Sequence, residues 1–124
     1  MNNLSNGLAA GDLAQSKAGL TNGTSASMTT ANAIDYTIDG EWMTQKAAIT
    51  NGAIPTTDAV TGNSFKPLGA NKKCEFAFAL NAAGDVVVAQ GEIMNADDPY
   101  GARSPILQSG RALFGTLTVT TDDT

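Results

Sequence analysis

The chain has 124 residues, a formal net charge of −5 at pH 7 and no histidine, with 42% hydrophobic and only 15% charged residues. That is room for one domain whose polar surface must come from Thr, Ser, Asn and Gly, a mixture that suits short strands and loops better than solvated helix faces. The acidic balance, with Lys72-Lys73 as the only adjacent basic pair, argues against partners bound through phosphates, nucleic acid and anionic membranes alike.

Composition changes near Thr30. Residues 1–29 are rich in Gly, Ser, Asn, Thr and Ala, with isolated leucines at Leu4, Leu8, Leu13 and Leu20. Asp12 and Lys17 match the dipole of a short helix over about 11–18, kept short by flanking glycines. Alone this segment buries too little to fold, so it reads as a flexible leader or as an extended N-terminal arm lying along another subunit. A β-rich domain follows over 30–124. Ile34, Tyr36 and Ile38 alternate with polar residues up to Asp39-Gly40, a favoured two-residue hairpin turn, and Glu41–Lys46 returns. A strict turn sets Tyr36 opposite Met43 and Trp42 opposite Thr37, so either both faces are partly covered or a bulge shifts the register.

From Ala48 to Ala70 the pattern dissolves into turn residues, with Ile54, Val60, Phe65 and Leu68 as candidate pins. A connection of that length inside a small domain is expected to be functional or covered, and it is the first candidate for a surface that touches a neighbour. The strongest scaffold signal is next. Cys74–Leu80 alternates, Asn81-Ala82-Ala83-Gly84-Asp85 forms a turn, and Val86–Gln90 returns. A polar loop around Asp97-Asp98-Pro99 leads to a last strand over 111–120, with Leu113, Leu117 and Val119 expected on one face and Phe114, Thr116, Thr118 and Thr120 on the other. The expected fold is all-β, a small antiparallel β-sandwich or open barrel. Its in-facing set, Ile34, Tyr36, Ile38, Phe76, Phe78, Leu80, Val86, Val88, Leu113, Leu117 and Val119, leaves little margin over the ordering entropy of the backbone, and homo-oligomerisation is the expected supplement.

Signals for chemistry are sparse. The missing histidine removes the usual general base, His-dependent triads and His-containing zinc sites, and one cysteine makes neither a disulfide nor a thiolate cluster. Cys74 reads as a small buried strand residue. Asp97-Asp98 and Asp122-Asp123 lack calcium-loop spacing and read as solvated pairs. No nucleophile elbow or phosphate-binding Gly-Lys-Ser/Thr loop is present, so no catalytic, cofactor or metal residue is assigned. The first residues carry no basic and apolar signal pattern, and no apolar run reaches membrane length.

Four stretches carry a resemblance: Ala31–Gly40, Ile54–Gly62, Phe76–Gly84 and Gln90–Ile93. Together they look like a group of small structural proteins of tailed bacteriophages that includes capsid decoration or cement proteins; the likeness spans roughly residues 31 to 120 and contains no sharp motif. It implies a β-rich, non-enzymatic module that oligomerises, often as a trimer, on the outside of a phage head and ties major capsid subunits together after synthesis in the host cytoplasm. No cofactor, nucleic acid or membrane is expected. The candidate capsid or subunit contacts are Leu4, Leu8, Leu13, Leu20, Ile54 and Phe65. A tail, neck or head-fibre component, or a host-surface glycan-binding module using Trp42 or Tyr100, are the alternatives.

Overall fold

The computed structural model describes residues 12–22, 27–107 and 109–122. Ten strands follow in chain order: β1 (Leu13–Ala14), β2 (Leu20–Asn22), β3 (Ser27–Thr30), β4 (Tyr36–Ile38), β5 (Glu41–Trp42), β6 (Gly52–Ala53), β7 (Lys72–Leu80), β8 (Val86–Gln90), β9 (Met94–Asn95) and β10 (Ala112–Thr120). All paired strands run antiparallel, and no helix occurs among the described residues. The fold is all-β with an open, sandwich-like arrangement of three sheets, ordered β10-β7-β8 with β9 also on β7, β2-β3-β6, and β1-β4-β5.

The main sheet grows from the expected hairpin. Phe78 lies opposite Val88 and Leu80 opposite Val86. Asn81 closes the turn: its N–H donates to the Asp85 carbonyl at 3.1 Å and its side-chain oxygen accepts from the Asp85 N–H at 2.9 Å. Gly84 supplies the left-handed φ of 85° that the turn requires. On the other side of β7, Leu117 lies opposite Phe76 and Val119 opposite Cys74, so these side chains share one face of the sheet. The opposite face carries Ala77, Ala79 and Ala89, all buried. The connection between β9 and β10 crosses this region, where Ser104 bonds Glu75 and a Cβ on Gly91 would sit 2.5 Å from the Arg103 carbonyl oxygen.

The second hairpin keeps the strict register. Asp39 and Gly40 both take positive φ, 53° and 80°, as a type I′ turn demands, and Thr37 faces Trp42. There is no bulge; instead Tyr36, Thr37 and Ile38 are all buried, so β4 is covered on both faces, while Trp42 is 67% exposed. Tyr36 packs with Ala18, Ile34, Ile38, Leu80 and Ala112 and donates its hydroxyl to the Asn81 carbonyl at 3.0 Å. Burial pushes its phenol above the ordinary 10.0, with the Asp85 charge adding to the effect. A second cluster joins Met28, Phe78 and Val88, and Phe114 and Val86 pack against both clusters.

Two expectations, the helix over 11–18 and the alternation of the last strand, need correction, and a third falls partly outside the described residues. The helix over 11–18 is not formed: from Asp12 onward the chain is extended, with Leu13 opposite Thr37 and Ala14 opposite Tyr36. Asp12 does not cap a helix. It is 1% exposed, and its carboxylate accepts the Asp39 N–H at 2.8 Å and the Gly110 N–H at 2.7 Å, a long-range demand that overrides a weak local preference. The expected arm, residues 1–29, falls partly outside the described residues; its described part is built into the fold, with Leu20 opposite Thr30 and Ser27 opposite Ala53. In β10 the expected alternation fails at a bulge between Leu113 and Gly115, which leaves Leu113 opposite Ala79 and puts Leu117 and Val119 with Phe76 and Cys74 on the other face. Phe114, placed on the polar face by simple alternation, packs on Phe78 with ring centroids 6.3 Å apart. Of the expected core, Phe76, Val86, Leu113 and Val119 are half-buried and Leu117 is exposed.

Asp12→Ala leaves two peptide N–H groups without their acceptor and is expected to lower stability by about 3 kcal/mol, read from urea unfolding. Asp12→Asn retains one acceptor oxygen and is expected to cost less; equal stability of Asp12→Ala and the parent chain would refute a structural role for the two Asp12 hydrogen bonds.

Candidate functional site

The shared face of β7, β8 and β10 is not fully covered. The β2-β3-β6 sheet brings Leu20 and Met28 over its Phe78 end, where Leu20 packs so closely on Gly115 that a Cβ there would lie 2.7 Å from Leu20 Cδ2. Toward Phe76 the face stays open as a groove of about 480 Å³. Phe76, Phe78, Val88, Leu117 and Val119 form its floor, and Ile54, Pro55, Thr56, Ser64 and Phe65 form its wall. Phe65 meets Phe76 edge-on with ring centroids 5.3 Å apart. A second hollow of about 310 Å³ shares Ile54, Phe78 and Leu117 with the groove and adds Leu20, Thr21, Ser27, Met28 and Thr116.

The wall is held rigidly, which makes the groove a formed feature. Thr57 bridges Ser64, and Asp58 pairs with Val88 in parallel, with the Ala59 N–H donating to the Val88 carbonyl at 2.8 Å. The Asp58 carboxylate turns back into its own loop, accepting from the Val60 N–H at 3.0 Å and the Thr61 hydroxyl at 3.4 Å. Gln90 fastens the far end: its amide oxygen accepts the Lys66 N–H and its amide nitrogen donates to the Lys66 carbonyl, each at 2.8 Å. Sequence reasoning overlooked both Asp58 and Gln90. Asp58 had a readable signal, since an aspartate whose side chain can bond the N–H two residues on builds a turn; Gln90 had none.

A larger hollow of about 640 Å³ lies on the other side of this loop, between Asp58, Lys66, Gln90, Glu92 and Ile106. Its polar groups are largely engaged already, Asp58 and Gln90 as above and Glu92 with Arg103 at 2.9 Å, so the apolar groove is the better candidate for contact. Of the six expected contact residues, Leu4 and Leu8 lie outside the described residues. Ile54 and Phe65 meet in the groove wall and Leu20 lines the adjoining hollow, whereas Leu13 sits half-buried in the β1-β4-β5 sheet.

The charged motifs are used in holding loops. Lys72 Nζ bonds Asn95 Oδ1 at 2.6 Å, and Lys73 Nζ bonds the carbonyls of Asp98, at 2.9 Å, and Tyr100. Asp98 accepts the Tyr100 N–H at 3.0 Å. Among the described residues no three His, Cys, Asp or Glu side chains are grouped to hold a metal ion, and no helix is long and apolar enough to cross a membrane. Trp42 and Tyr100 are 67% and 73% exposed on separate elements and line none of the three hollows.

Cys74 is buried beneath this region, with its Sγ 3.3 Å from the Gly91 carbonyl oxygen. Burial pushes the thiol above its ordinary 9.0, with hydrogen bonding at Gly91 pulling the other way. Comparisons with protein-family models, curated proteins and solved structures found no match to this chain. Burial denies the reagent access to the sulfur and the raised pKa lowers its thiolate fraction, so native Cys74 is expected to react with Ellman's reagent markedly more slowly at pH 8 than in the unfolded chain. Equal rates would place the thiol at the surface.

Proposed function

We propose that the chain is a structural, non-enzymatic protein of a bacteriophage virion: a capsid decoration or cement protein that sits on the outer surface of the head and bridges major capsid subunits as a homo-oligomer. The observation that carries this reading is the open apolar groove of about 480 Å³, whose floor is a hydrogen-bonded sheet and whose wall is a loop pinned by Asp58 and Gln90. Such a groove takes an apolar side chain or short segment of a neighbouring protein without rearrangement, which lowers the ordering cost of binding. The resemblance of residues 31–120 to small virion proteins supplies the class of partner.

The mechanism is bridging. Each contact with one capsid subunit is modest, but several contacts made together by a rigid oligomer raise the effective affinity far above any one of them. Binding that favours one form of the shell stabilises that form by mass action. A second reading, a host-surface glycan-binding module, draws on the exposed rings of Trp42 and Tyr100, and a tail, neck or head-fibre position draws on the same β architecture.

Purified protein mixed with matching heads that lack it is expected to co-sediment, saturating at many regularly spaced sites. Ile54→Asp, checked for retained fold by circular dichroism, is expected to weaken that binding at least ~10-fold, the scale of losing one buried aliphatic side chain. With no histidine in the chain, occupancy is expected to change little between about pH 6 and pH 8. Binding at a single vertex would assign the protein to the tail or fibre class, and glycan binding without head binding would favour the host-surface reading.

A further inference from the structure

The two edges of the main sheet are finished differently. Along β8 the outer edge is closed, because Asp58 bridges Val88 and Gln90 bonds Lys66 in both directions. Along β10 no described strand pairs beyond it, and Thr116, Leu117, Thr118 and Thr120 are exposed. From Thr116 to Thr120 this edge contains no charge and no proline, the devices that normally keep a sheet edge single.

The hydrogen-bond phase of the sheet says which groups are free to pair. The Gly91 N–H donates to the Glu75 carbonyl at 2.8 Å and the Asn81 N–H to the Asp85 carbonyl at 3.1 Å, so the odd residues of β7 bond toward β8 and its even residues toward β10. The Thr121 N–H, donating to the Lys72 carbonyl at 2.8 Å, agrees with this phase from the other side. Leu117 and Val119, opposite Phe76 and Cys74, therefore turn their peptide groups inward to β7, and Thr116, Thr118 and Thr120 turn theirs outward. The outward groups are symmetric about Thr118.

We propose that a second copy of this chain pairs along that edge, β10 antiparallel to β10, about a two-fold axis at Thr118. In this register Thr118 faces Thr118 of the second copy, and Thr116 faces its Thr120, so every outward N–H and C=O between residues 116 and 120 in both copies gains a partner. On one face threonine meets threonine across the junction, a favourable cross-strand pair. On the other, Leu117 meets Val119 of the second copy in the closer, non-hydrogen-bonded pairing, which covers a leucine that is 37% exposed in the single chain and joins the two apolar grooves into one continuous surface. The occupant is a second copy because the pattern is complementary to itself: a two-fold operation returns donors onto acceptors and apolar onto apolar, and no like charges oppose each other along the edge. The result is one eight-stranded sheet in the order β8-β7-β10-β10-β7-β8, with β9 also on each β7. Its contact is short, so the dimer is in exchange with monomer at concentrations on the order of micromolar.

Sedimentation of the full-length chain across roughly 1 to 100 μM is expected to show this monomer–dimer equilibrium. Thr118→Lys sets two ammonium groups against each other on the axis and is expected to raise the dissociation constant at least ~10-fold with an unchanged circular dichroism spectrum. Thr118→Pro, whose lost N–H points away from β7, is expected to act likewise. Thr118→Cys brings two Cα atoms to about 5.5 Å, within disulfide reach, and is expected to form an oxidised dimer, whereas Thr120→Cys, facing Thr116, does not. A monomer throughout this range, a trimer, a native-like Thr118→Lys variant that dimerises undiminished, or equal cross-linking through Thr120→Cys would each overturn the proposal. None of these results bears on whether the protein binds phage heads, so failure of the two-fold pairing and failure of the virion reading are separately visible.

Discussion

Strand β7 bonds on both sides, alternate residues facing alternate neighbours, and most of this molecule is arranged around that constraint. Its odd residues bond β8 and its even residues bond β10, while its side chains divide into a small-residue face of Ala77 and Ala79 and a large-residue face of Phe76, Phe78 and Leu80. The alanine face accepts close approach by the chain between β9 and β10, and Gly91 leaves no room there for even a Cβ. The large-residue face needs a second layer. The β2-β3-β6 sheet provides one over Phe78 but stops short of Phe76, which is how a chain of this size comes to have an open apolar groove.

Buried carboxylates organise what the sheets alone do not. Asp12 holds peptide groups from the β4–β5 turn and from the start of β10, joining segments 98 residues apart in sequence. Asp58 performs the same task locally, folding the loop that walls the groove and bringing it against β8. In both cases a buried acidic side chain accepts peptide N–H groups, and those bonds in turn satisfy a carboxylate that is costly to bury without partners. Acidic residues serve here as structural acceptors.

The proposed function and the proposed pairing place different demands on one scaffold. Bridging of capsid subunits asks for a rigid, partly apolar surface, which the groove between Ile54, Phe65 and Leu117 offers. Self-association asks for an unprotected strand edge, which β10 offers from Thr116 to Thr120. Pairing across that edge would set two grooves on one continuous face, a bivalent arrangement suited to the modest individual contacts on which avidity depends.

Local chemistry was enough to read the two hairpins. Asp39-Gly40 favours a type I′ turn because both positions accept positive φ, and Asn81–Asp85 closes on its own side chains, so the turns, the all-β class and the burial of Cys74 followed from residues near in sequence, while the choice between a strict register and a bulge at Asp39-Gly40 did not. The groove residues Ile54 and Phe65 were visible as apolar pins in a polar loop, although nothing local told how they meet Phe76. The extended run at Asp12, the bulge at Phe114 and the capping by Gln90 were settled only in three dimensions, because each answers a partner tens of residues away. A hydrophobic alternation specifies which side chains should share a face, but not where an extra residue will be inserted or which edge will be left open. Those outcomes depend on the packing of whole sheets against one another, a long-range balance to which no single stretch of sequence has access.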